Sequence, residues 1–145
     1  MVLFALLGVL FGLCPEASRA LAHEAGPGFQ LVVHPDNPTS KAPRQFIANL
    51  FLKEVTRWDG GEAARPVDLK PEQATRRRFS ESVLNRSVTA VRSYWQQRIF
   101  SGRGVPPPEL ESDQAVIASV TKHRGGVGYV SGTAEIGKAK SIRIE

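Results

Sequence analysis

A single cysteine in 145 residues, Cys14, excludes an intramolecular disulfide and any zinc site built on paired cysteines. The three histidines, His23, His34 and His123, show no H-x-x-x-H or H-E-x-x-H spacing, so no helix presents a paired zinc-ligand motif. G-x-S-x-G is absent, which removes the nucleophile elbow of the α/β serine hydrolases. Aromatic residues make up only 8% of the chain and form no stacking motif, so the basic balance has no nucleic-acid signature behind it. No apolar run reaches the roughly 20 residues that a membrane-spanning helix needs. These absences point to a binding protein rather than an enzyme, with no cofactor, no metal and no nucleic acid.

What is present begins with Val2 to Cys14, VLFALLGVLFGLC, an unbroken run of small and apolar residues. A more polar stretch follows and ends in Ala20-Leu21-Ala22, an A-x-A pattern that suits a signal peptidase. No Lys or Arg precedes the run, so the α-amino group of Met1 supplies the positive charge, or the true start lies upstream. Bulky Leu13 before Cys14 argues against lipid attachment. The expectation is a signal peptide over 1–22 and an exported domain over 23–145. Export would then remove the only cysteine and leave the core alone to hold the fold. A new N-terminus at His23 would also offer an amine and an imidazole to copper(II), for which no second ligand is identified. The net charge of +5 reads either as a solvated basic surface or as a preference for anionic solutes, anionic lipid or an acidic partner.

Gln30 to His34 is a β-branched run closed by Pro35 and predicts a strand, with Pro35-Asp36-Asn37-Pro38 as the turn after it. Ser40 and Pro43 suit a helix start, and Phe46, Ile47, Leu50 and Phe51 form one continuous apolar face. Arg65 to Leu69 predicts a second strand, and Pro71 as a first helical residue opens a helix to about Leu84. From Ser87 a third helix carries Val88, Val91, Trp95 and Ile99 at steps of three and four, with Gly102 as the residue that ends it. The stiff Val105-Pro106-Pro107-Pro108 loop leads to a helix from Ser112 to His123, and Val127–Ser131 and Ser141–Ile144 close the chain as strands. The order β-α-β-α-α-α-β-β predicts an α/β layered domain.

Three segments carry a resemblance. Val32-Val33-His34-Pro35-Asp36-Asn37-Pro38 resembles the V-V-N-P-x-N-P turn of phosphate-type solute-binding proteins of ABC importers. Ile47 to Trp58 looks like that family's helix with its I-F-x-G-[KE]-[IV]-T-x-W ending. Val127-Gly128-Tyr129-Val130 is similar to its I-G-Y-V strand, and the matches come in family order. The segment Tyr94 to Pro108 also resembles a group of short, stand-alone relatives. The resemblance implies one lobe of a type II periplasmic-binding-protein-like fold, a mixed sheet flanked by helices, in the periplasm. It departs from the family in two ways. Members have two lobes and about twice this length, and the family's phosphate loop S-G-T aligns with Gln73-Ala74-Thr75, so that only the threonine is kept. The arginine that precedes that loop falls at Leu69.

The candidate ligand residues lie in two places. A helix opening near Pro71 offers free N–H groups and a positive dipole end, with Gln73 and Thr75 as further donors and Arg76 as a bidentate grip on an oxyanion. Glu72 in the same first turn opposes an anion, and the run Arg76-Arg77-Arg78 fans around the helix, so at most one or two of its members face a ligand. The second place is Ser101-Gly102-Arg103-Gly104, where two glycines let backbone approach a ligand or partner beside Ser101, Arg103 and Gly104; the same residues also read as a plain helix end. The functional expectation is capture of a small anion, phosphate first, as part of an ABC phosphate transport system, with a homodimer or partner supplying the missing wall. The alternative is a ligand-free module that docks on a transporter, porin or sensor.

Overall fold

The computed structural model describes residues 28–145; the expected leader, its cleavage point and His23 lie outside the described residues. At the centre is β1 (Phe29–Val33), whose Leu31, Val32 and Val33 are all buried. A strand covered on both faces reads as a continuous apolar run, which is why β1 shows no alternation. Its neighbours are β6 (Gly126–Ser131) and β7 (Lys140–Ile144), both antiparallel to it, with Phe29 opposite Ser131 and Val33 opposite Val127. Two short strands complete the sheet in the order β2-β7-β1-β6-β3: β2 (Lys41–Ala42) runs parallel to β7, and β3 (Arg65–Pro66) parallel to β6. The mixed sheet is the one expected.

The predicted strand Arg65–Leu69 splits. The Val67 N–H still bonds to Val127 of β6 at 2.9 Å, whereas Asp68 N–H turns to the carbonyl of Pro108 at 2.9 Å. The chain thereby leaves the main sheet and forms β4 (Asp68–Leu69), parallel to β5 (Glu109–Leu110). The turn after β1 is as expected, with the Asn37 carboxamide oxygen accepting from Thr39 N–H at 2.9 Å.

Among the described residues there are four α-helices, of which the second and the fourth in chain order pack directly on the sheet. Helix α1 (Arg44–Phe51) starts later than Ser40 suggested, because Ser40 and Lys41–Ala42 are engaged along β7: the Ser40 carbonyl accepts from Arg143 at 3.0 Å. Pro43 takes the cap position instead. Helix α2 (Ala74–Phe79) starts three residues after Pro71, since Lys70 to Gln73 forms a turn closed at 3.1 Å; a π-helical segment, Ser80–Leu84, continues it. Helix α3 (Val88–Phe100) begins with the Ser87 hydroxyl accepting from Ala90 N–H. It ends at Gly102 (φ 67°), with Gly102 N–H on the Ile99 carbonyl and Arg103 N–H on that of Arg98. That pair of reversed bonds requires the left-handed backbone that glycine adopts without strain. Helix α4 (Asp113–Lys122) is capped by Ser112 in the same way as α3. Among the described residues no helix is long and apolar enough to cross a membrane.

The core is aromatic where the elements converge. Phe79 and Tyr129 stack at 3.8 Å with rings 7° apart, while Phe51 tilts against Phe79 at 4.6 Å and Phe29 meets it edge-on at 5.5 Å. Burial of each such ring contributes roughly 2–3 kcal/mol. The cluster ties α1, the end of α2, β1 and β6 together.

Candidate functional site

Tyr129 has an apolar ring in the core, but its hydroxyl must find a partner there. It finds Asp68, the one acid of the Pro66–Leu69 stretch: the Tyr129 hydroxyl donates to the Asp68 carboxylate and accepts from Leu69 N–H at 3.3 Å. A buried carboxylate in turn needs positive charge. Arg76, in the first turn of α2, supplies it through an ion pair with Asp68, and its Nη1 also donates to the Leu69 carbonyl at 3.1 Å. Both side chains are at most 6% exposed. Burial pushes the Asp68 carboxyl up to about 6, against the pull of Arg76 and Tyr129, and Glu109 adds to the rise. Burial and the adjacent carboxylate push the Tyr129 phenol far above its ordinary range. The guanidinium is not fully satisfied, for Arg76 Nε is buried without a partner.

Above this network lies a cavity of about 160 Å³. Val88, Val91, Trp95 and Ile99 of α3 form one wall, and Pro106 and Pro107 of the stiff loop stand across it. Asp68 and Arg76 also line it, as do Arg92, Gln96 and Glu109. The arrangement offers no nucleophile next to a base. Among the described residues no group of three or more His, Cys, Asp or Glu side chains could hold a metal ion.

The sequence-derived residues fall into separate places. Gln73 caps α2 by position only: its side chain makes no cap bond and instead donates to the Glu111 carbonyl at 2.7 Å. Thr75 is half-buried in the first turn of α2. Arg76, expected to grip an oxyanion, has its guanidinium buried, paired with Asp68 and bonded to the Leu69 carbonyl. Ser101 is the C-cap of α3, its hydroxyl donating to the Gln97 carbonyl at 2.9 Å, and Arg103 and Gly104 are exposed beyond it. No hydrogen bond joins these three to Gln73 or Thr75, and none of the five lines the cavity. Sequence reasoning missed Asp68 and Tyr129. The available signal was an acid between Pro66-Val67 and Leu69, an ionisable group in an otherwise apolar strand.

No protein-family model matches the chain, and no curated protein matches it in sequence. Solved structures do share its fold. A Clostridium perfringens protein described as a phosphate ABC transporter substrate-binding protein, solved with bound phosphate, superimposes with a TM-score of 0.63 at 15% identity, over 81% of this chain and 44% of that one. An ABC-type phosphate transport receptor from Vibrio cholerae gives 0.62 at 18% identity, over 81% of this chain and 46% of its own. PstS from Borrelia burgdorferi gives 0.63 at 10% identity, with 81% and 47% covered. The chain therefore spans less than half the length of each of these proteins. Its fold is that of a part of the phosphate-type solute-binding proteins, in agreement with the mixed α/β periplasmic-binding-protein-like architecture expected from the sequence.

Proposed function

We propose that the protein is a solute-binding domain, not an enzyme, and that it holds a small anion, phosphate first, at the open start of α2. The observation that carries this reading is the fold shared with two proteins whose descriptions name phosphate transport. The start of α2 supports it. The first-turn N–H groups of Ala74, Thr75 and Arg76 have no intrahelical acceptor, and the side chain of Gln73 caps none of them. Thr75 orients the anion with its hydroxyl. Arg76 has a different role from the one its sequence position suggested: through Asp68 it fixes the start of α2 to β4. Exposed Arg77 and Arg78 add a positive field around the site. On this reading the leader over 1–22 exports the domain to the periplasm, where it serves an ABC importer.

A site on one lobe leaves its ligand half-solvated. Micromolar affinity needs about −8 kcal/mol, and a water-exposed anion site falls short of that, so the expected affinity is weak. Calorimetric titration of the purified chain with phosphate, with sulfate as control, tests the reading. Saturable, phosphate-selective heat that Thr75→Ala weakens is the expected result; absence of heat from the folded protein overturns it.

A second reading, a module that docks on a transporter, porin or sensor without a ligand of its own, draws on a separate observation. Phe100 is 92% exposed beside exposed Ile99 and Val105, and the Ser101–Gly104 loop lies between them.

A further inference from the structure

Arg76 is a buried cation with one donor unused. Its Nη1 serves Asp68 and the Leu69 carbonyl, while its Nε is buried without a partner. A buried N–H is seldom left without an acceptor, because nothing then offsets its loss of water. Arg98 Nε is in the same state, but that guanidinium stands over the rings of Tyr94 and Trp95 and does not line the cavity. Arg76 does line it. An unpartnered donor and a cavity thus share one side chain.

Most of the remaining wall is apolar. Val91 and Trp95 of α3 and Pro107 of the stiff loop are buried, and Val88 is half-buried. A dry cavity of about 150 Å³ accepts a benzene molecule, and this one, at about 160 Å³, has the size for one six-membered ring. An indole as a wall favours a flat aromatic occupant, through stacking or edge contact. The charges of the lining cancel: Asp68 is paired with Arg76, and the exposed Arg92 and Glu109 are of opposite sign. A carboxylate or phosphate placed here would lie beside Asp68 as well as Arg76, and would lose its hydration among apolar walls. The lining therefore suits an uncharged ligand that brings a hydrogen-bond acceptor.

We propose that this cavity binds a small uncharged aromatic solute bearing a carbonyl group, with its ring against Trp95 and Pro107 and its carbonyl oxygen accepting from Arg76 Nε. The site is separate from the anion site at the start of α2, since neither Gln73 nor Thr75 lines the cavity.

Benzamide is the probe, titrated into the purified chain and followed in proton–nitrogen NMR spectra. The expected result is a saturable shift of the Trp95 indole and Arg76 Nε–H signals with one common dissociation constant, about millimolar for a ligand so small. Toluene, which has no acceptor, should bind about tenfold or more weakly, the worth of a hydrogen bond to a charged group. Benzoate, which sets a second carboxylate beside Asp68, should bind more weakly as well. Val88→Phe puts a ring of the chain's own at the cavity and should weaken benzamide by about tenfold or more. Because Val88 is half-buried at the start of α3, that variant keeps its fold, which circular dichroism checks. Phosphate at high concentration should leave the benzamide titration unchanged, so the result does not depend on the anion site. Signals of the folded protein that do not respond to benzamide overturn the proposal. So do toluene or benzoate binding as tightly as benzamide, a Val88→Phe variant that binds like wild type, and competition by phosphate.

Discussion

Replacing Arg76 by Met removes the guanidinium from Asp68 while keeping most of the side-chain volume, and its effect depends on pH in a way packing alone cannot produce. Asp68 titrates near its ordinary 3.8 in the unfolded chain and at about 6 in the fold. Between those values the folded state binds the extra proton, so stability is greatest below pH 4 as far as this group is concerned. It falls as pH rises to 6 and levels off above. A separation of about two pH units corresponds to a loss of about 3 kcal/mol across that window. Arg76 is the largest influence holding the Asp68 value down, so the Met variant moves the folded value above 6 and extends the loss upward. At pH 8 the variant leaves a buried carboxylate unpaired, at a cost of about 3–5 kcal/mol. Near pH 5 most Asp68 in the fold carries its proton, and the cost of losing Arg76 shrinks. Urea unfolding followed by the emission of Trp58 and Trp95, both buried, measures this. At pH 8 the midpoint should fall by about 2 M, and by much less at pH 5. An equal shift at both pH values would refute the electrostatic account and leave Arg76 as a packing residue.

Gly125→Ala should lower stability by about 3 kcal/mol or more, since the added Cβ would lie 1.7 Å from the Ala63 carbonyl oxygen and one of the two backbone segments must move. A melting curve reads the loss, and displacement of the Gly125 carbonyl from Trp58 Nε1, now 3.2 Å away, should change tryptophan emission. Ser112→Ala should cost about 1 kcal/mol, because the hydroxyl caps α4 at Ala115 N–H. Gln73→Ala, at a cap position whose side chain makes no cap bond, should stay within about 0.5 kcal/mol, and equal losses in the two variants would refute the cap assignment.

The helices and main strands were legible because their signals are local. Ser87 and Ser112 cap the helices they were expected to start, Gly102 ends α3, and Pro35 closes the strand before it. Where expectation and structure differ, a distant segment overrode the local preference. Pairing with β7 drew Lys41–Ala42 out of the start of α1, and Pro108 drew Asp68 away from the main sheet. The apolar stripe of α3 was also only half right: Val91 and Trp95 are buried, yet Ile99 is half-exposed, because nothing within the described chain covers the end of that helix.

The sequence by itself determined where the main helices and strands lie and that a mixed α/β domain results, since capping, periodicity and proline placement act within a turn or two of the chain. Only the tertiary structure decided what the charged residues do. In the run Arg76-Arg77-Arg78 nothing marks one arginine as buried, and periodicity alone does not separate a ligand grip from an internal ion pair. That choice depends on Asp68, eight residues away, and on Tyr129, 61 residues beyond Asp68 in the sequence, which meet only when β4, α2 and β6 pack together. A buried charge is stable only with its partners in place, so the fold, rather than the local sequence, assigns Arg76 to the core.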